Sequence, residues 1–193
     1  LKDAWLYGRW DVFEGQFLPE FQSDLHICDP ESIPRELRCF VALDYGFDML
    51  AALLLGADAD GNLFVLREHC EPNLVLREAG QAVAELCRGF RAEYAVASPD
   101  LWNRRQDTGK SGFEILQAVE GMPPLRAADD RRIPGWRVLR EYLHAKGELP
   151  VLRISSLCQT LIRSLPALLC DPLRPEDASS EPHAVTHAPE ALR

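Results

Sequence analysis

The run Phe40 to Phe47, FVALDYGF, constrains this chain more than any other stretch. It is an uninterrupted apolar segment closed by a Tyr-Gly turn signal, the pattern of a strand buried at the centre of a sheet. One acid, Asp44, stands at its end. A carboxylate there is costly unless a cation, a hydrogen-bond network or solvent meets it. Asp44 therefore either caps a turn or opens a site at the end of the strand.

The neighbouring sequence supplies the rest of a sheet. Cys39 to Asp44 reads as a first core strand, Met49 to Ala57 as a second and Leu63 to His69 as a third. The turn Asp58, Ala59, Asp60, Gly61, Asn62 joins the last two as a hairpin. It superficially resembles a calcium loop, but that register puts Gly56 at the first ligand position and Arg67 where a bidentate Glu is needed. From Asn73 to about Phe90, Leu74, Val75, Ala79, Val83, Ala84 and Cys87 share one helical face. Tyr94 to Ala97 is then a fourth strand, followed by Ser98, Pro99 and a second strand-end acid, Asp100. Three strands, a helix and another strand form a mixed sheet with a crossover helix.

Farther on, Phe113 to Val119 and Gly135 to Lys146 read as helices, Leu149 to Ile154 as a strand and Ser156 to Leu165 as a helix. Pro166 to Asp171 is a short apolar segment, and Pro172 to Pro182 has the composition of an exposed loop. In the last segment, Ala184 to Arg193, His187 and Glu190 fall on one face if it is helical. His183 and Glu181 are reserves for the same role. Asp48 and Asp107 also fall near the expected site, but they sit in turn-like sequence and read first as turn residues. His26, His69 and His144 read as ordinary core or surface histidines.

With 193 residues and 47% hydrophobic content, the chain can bury one full core. No apolar run reaches the length of a membrane span, and no membrane partner is expected. The six cysteines lack a CxxC pair and read as reduced thiols in a cytosolic setting. A net charge of −9 disfavours a generic nucleic-acid binder, yet arginines cluster locally at Arg104 and Arg105 and again from Arg126 to Arg140. The segment Asp107 to Ser111 imitates the end of a P-loop, but Arg104 stands where its first glycine is required. Arg104, Arg105 and Lys110 are instead candidates to lie along a phosphate backbone.

Three stretches carry a family resemblance: ALDYGF before a hairpin, SPDLW after a helix and strand, and the closing PEDASSEPHAVTHAPEALR. Together they resemble the nuclease domain of bacteriophage terminase large subunits across nearly the whole chain. The opening GRWDVFEGQF is similar to the segment that follows the ATPase in that family. The resemblance implies an α/β, ribonuclease H-like fold, a mixed central sheet with helices on both faces. It divides the chain into a lead-in, 1–34, from a missing N-terminal ATPase domain, and a nuclease domain, 35–193. The start at Leu1 and the end within a helical pattern fit a piece of a longer protein.

The implied activity is that of a metal-dependent endonuclease cutting concatemeric double-stranded viral DNA during genome packaging. In-line phosphodiester hydrolysis of this kind uses two cations about 3.5–4 Å apart. Magnesium or manganese suits carboxylate ligands. By the resemblance, Asp44 bridges both cations, Asp100 holds one, Glu190 completes the other, and His187 is a ligand or an orienting partner. The family motif has Asp where this chain has Glu190. Further implied partners are the packaging ATPase of the same polypeptide, the portal and the small terminase subunit, in the cytoplasm of an infected bacterial host. The alternative is a docking module of the packaging motor that cuts weakly or not at all. A junction resolvase or transposase with the same fold is a third possibility, disfavoured by the HAPEALR ending.

Overall fold

A strand covered on both sides needs apolar side chains at every position, and Leu50–Ala57 (β3), LAALLLGA, is buried along nearly its whole length. Its neighbours are Arg38–Tyr45 (β2) and Leu63–Glu71 (β4), both antiparallel to it. The computed structural model describes residues 15–46, 48–104, 106, 109–146 and 149–193. Most of GRWDVFEGQF therefore lies outside the described residues, as do Phe47, Arg105 and Asp107.

Ala92–Ala97 (β5) lies parallel to β2 on its other side, and Leu125–Ala127 (β6) lies parallel to β5. The strands β2 to β6 thus stand in the spatial order third, second, first, fourth, fifth, with only the second antiparallel. This is the ribonuclease H-like arrangement, and it follows from a meander continued by parallel crossover strands. Leu152–Ser155 (β9) extends the sheet beyond β4, and Ile27–Cys28 (β1) closes that edge, giving seven strands.

Helices cover both faces. Leu76–Leu86 (α2) and Gly112–Gln117 (α3) pack over Val41, Leu43, Leu54 and Phe64. Arg132–Leu143 (α4), Gln159–Ala167 (α5) and His187–Leu192 (α6) cover Ala42, Leu53, Leu55 and Val65. Phe17, Leu18 and Phe21 are buried in the second core, where the Phe17 ring meets Trp136 edge-on at 5.3 Å. The short helix Ser23–His26 (α1) follows, and the ring of His26 is buried between Gln22 and the Leu143 carbonyl.

Several boundaries differ from expectation. Asn73 has φ 62°, a left-handed conformation that a helix cannot include, so α2 starts at Leu76, where Glu78 accepts the Val75 N–H at 3.1 Å. The helix ends at Leu86, short of the expected Phe90, and Gly89, at φ 85°, follows it. Helix α4 begins at Arg132 because Pro134 fits a first turn, and the expected helical tail instead forms Ala145–Lys146 (β7), paired with Leu149–Pro150 (β8). In the 58–62 turn, Asp58 takes the N–H groups of Asp60 and Asn62 and the Asn62 amide, so the chain itself satisfies the carboxylate.

Candidate functional site

Strand β2 brings Asp44 to the C-terminal edge of the sheet. Side chains alternate along a strand: Val41 and Leu43 enter the α2 side, while Phe40, Ala42 and Asp44 line a cleft of about 360 Å³ toward α4 and α6. Asp44 remains one-third exposed. Its Oδ2 accepts the Nδ1–H of His187 at 3.0 Å. His187 opens α6, and its side chain is largely buried.

Glu190 lines the same cleft one helical turn later. Oε1 of Glu190 pairs with Arg132 and Oε2 with Arg193, so guanidinium groups take both oxygens. Arg132 also grips Asp177 through Nε at 3.1 Å, and Asp177 accepts Trp136 Nε1–H at 2.9 Å and the Ala178 N–H at 2.9 Å. Burial raises the Asp177 pKa, but Arg132, Trp136 and Ala178 outweigh it and hold the carboxyl below the usual range. This network ties α4, the 171–178 loop and α6 together.

Asp100 lies elsewhere. The last described pair between β2 and β5 is Leu43 with Ala97, and the next residue, Ser98, lines the Asp44 cleft. Asp100 sits two residues on, in a 3-10 turn, exposed, lining a neighbouring depression with Tyr45, Leu76 and Gly112 on the α2 side. Asp44 and Asp100 thus leave adjacent parallel strands but border different hollows.

Two further residues join the site. Asp48, in the turn after β2, places Oδ2 3.3 Å from His183 Nδ1 and 3.6 Å from His187 Nε2. The two imidazoles meet edge-on with centroids 4.4 Å apart. The sequence places Asp48 near the site but favours a turn role for it. The spacing HAVTH, two histidines four apart, is the signal that marks His183 beside His187.

Arg104 and Lys110 are exposed, and Arg104 forms an isolated bridge with Ser111 at the start of α3. Both lower the pKa of Glu114, after the backbone and side chain of Ser111, which dominate. Arg104 follows Asn103, which lines the same hollow as Asp100.

No protein-family model matches the chain, and no curated protein does. Solved structures do. The large terminase of a thermophilic bacteriophage, in complex with ADP, superposes with a TM-score of 0.74 at 17% identity over 93% of this chain. The chain has the fold of a large-terminase nuclease domain. It spans 43% of the length of that ADP-bound terminase. The nuclease domain from thermophilic phage G20c with bound magnesium gives 0.62 at 14% identity, covering 94% of this chain and 98% of that one. The nuclease domain from bacteriophage SPP1 with bound manganese gives 0.58 at 16% identity, covering 86% and 92%. In this terminase-nuclease fold, Asp44 ends the central strand and His187 reaches it from the last helix. Among the described residues, no helix is long and apolar enough to cross a membrane.

Proposed function

We propose that the chain is the metal-dependent DNA endonuclease domain of a phage terminase large subunit, cutting concatemeric double-stranded DNA during genome packaging. One observation carries this reading. Asp44, at the open end of the central strand, is oriented by His187 in a fold shared with terminase nucleases. Nuclease domains of that fold were obtained with manganese and with magnesium.

The residues at Asp44 fit a divalent cation. A partly exposed carboxylate borders a cleft that Asp129 and Asp130 also line, and an imidazole fixes its rotamer. Two such cations would supply the positive charge that activates a water and stabilises the leaving oxygen. Asp44 and His187 would hold the cation-binding oxygen in place. Glu190 reaches the same cleft and would join after exchanging an arginine partner, and Asp100 would contribute from the adjacent strand end. Arg104, Lys110 and Arg105 would lie along the DNA backbone. The packaging ATPase of the same polypeptide, the portal and the small subunit are the proposed partners, in the host cytoplasm.

The docking reading has one observation in its favour. Glu190 is neutralised by arginines, and Asp100 borders a hollow other than the cleft that Asp44 and Glu190 share. Incubating supercoiled plasmid with the purified chain separates the two. The nuclease reading expects nicked and linear products with Mn2+ or Mg2+ and none with EDTA. Intact plasmid under both metals would favour docking.

A further inference from the structure

His187 has two ring nitrogens with different neighbours. Nδ1 faces the Asp44 carboxylate at 3.0 Å, and an ionised carboxylate can only accept, so Nδ1 carries the proton. Nε2 is then a bare lone pair. It points at Asp48 Oδ2, 3.6 Å away, and at His183 Nδ1, 3.4 Å away. Nε2 and Asp48 Oδ2 are both acceptors and repel unless something positive, a proton on His183 Nδ1 or a cation, stands among the three atoms.

The third edge, His183 Nδ1 to Asp48 Oδ2, is 3.3 Å. Three ligand atoms therefore form a nearly equilateral triangle with sides of 3.3, 3.4 and 3.6 Å. A tetrahedral ion with metal–ligand bonds of about 2.0–2.1 Å has ligand–ligand edges of about 3.3–3.4 Å. The triangle matches one face of that tetrahedron. Two imidazoles and one carboxylate are a borderline donor set that suits zinc-class ions, whereas magnesium favours oxygen.

The chain builds this arrangement from two distant segments. His183 lies in a 3-10 turn and His187 opens α6, so the HAVTH spacing sets both rings on one side. Asp48 comes from the β2–β3 turn, closed by Gly46 N–H to Met49 O at 2.9 Å. A side chain at Gly46 would collide with the Asp48 carboxylate. The Asp44–His187 bond supplies the outer carboxylate that typically orients a metal-binding histidine.

We propose that Asp48, His183 and His187 form a tetrahedral zinc-class metal site, positioned by Asp44, with its fourth position open to water or an anionic oxygen. The site would bridge the β2–β3 turn to the C-terminal helix. It goes beyond the nuclease reading and stands whether or not the chain cuts DNA.

The test needs no DNA. Zn2+ is titrated into the EDTA-stripped chain against a chromophoric chelator, and Co2+ into a second sample for its visible spectrum. The proposal expects one competing equivalent, with strong tetrahedral Co2+ bands and no thiolate charge-transfer band, which sets the six cysteines aside. His183→Ala and Asp48→Asn, both at exposed side chains, should weaken zinc by more than about 100-fold, and Asp44→Asn by about 10–100-fold. Circular dichroism confirms that each variant is folded. Absence of a competing equivalent, a weak octahedral spectrum, or zinc binding unchanged in folded His183→Ala would overturn the site.

Discussion

His187 Nδ1 donates to Asp44 Oδ2 across 3.0 Å, joining residues 143 positions apart. The bond fixes the imidazole tautomer and the carboxylate rotamer together. Removing such an orienting partner typically costs about 10–100-fold in metal affinity or activity. His187→Ala should therefore raise the Mn2+ concentration for half-maximal cutting by that factor, and titrating the cutting rate with Mn2+ measures it. An unchanged midpoint would remove His187 from the orientation of Asp44.

Glu190 is held by Arg132 and Arg193. Glu190→Gln keeps its volume but takes the carboxylate from Arg193 and leaves Arg132 with Asp177 alone in a half-buried place. A loss of about 1–3 kcal/mol in urea unfolding is expected. Cutting should fall as well if Glu190 joins the acid set. Full activity in the folded variant would remove it from that set.

The acid response follows from Asp177. Its folded pKa lies below the ordinary value of about 3.9, so the ionised form binds the fold more tightly than the protonated form does. The stabilisation is complete above the unfolded pKa and disappears as pH falls through the lower, folded one. Stability should decline below about pH 4, and less steeply in Asp177→Asn. Urea midpoints between pH 2 and 6 follow it.

Thiol reactivity offers a separate check. Burial pushes the Cys70 thiol up to about 12 and Cys87 up to about 11, and raises Cys158 as well. Ellman's reagent at pH 8 should leave these three silent in the native chain and titrate all six cysteines in denaturant. Rapid native reaction at Cys158 would contradict its burial.

Much of the sheet was legible because its strands are long and apolar. FVALDYGF marked the central strand, and the Asp-Gly turn marked the next hairpin, in which Asp58 and Gly61, at φ 84°, take the expected roles. Short elements escaped. Strand β6 has three residues and β1 two, too few for any periodicity to register, and each exists because a longer neighbour offers an unpaired edge. The left-handed Asn73 could not be told from a helix start by composition alone.

The site was legible in its anchor and less so in its geometry. Asp44 and His187 meet, but sequence spacing cannot say that Asp48 folds back from its turn toward two histidines. Nor can it say which side of a sheet a residue reaches after the strand has ended. Asp100 lies two residues beyond Ser98, and the 3-10 turn carries it to the other hollow. The arginine clamp on Glu190 depends on Arg132, 58 positions away, and only the packed fold brings them together.

The most direct measurement compares the wild-type chain with Asp44→Ala on supercoiled plasmid in Mn2+, with equal folded protein confirmed by circular dichroism. Loss of a metal-holding carboxylate should cost more than about 100-fold in rate, beyond the loss from an orienting residue. Wild-type cutting that EDTA abolishes and Asp44→Ala lacks is the predicted result. Equal cutting by the two proteins would contradict the assignment of this strand end as the nuclease centre.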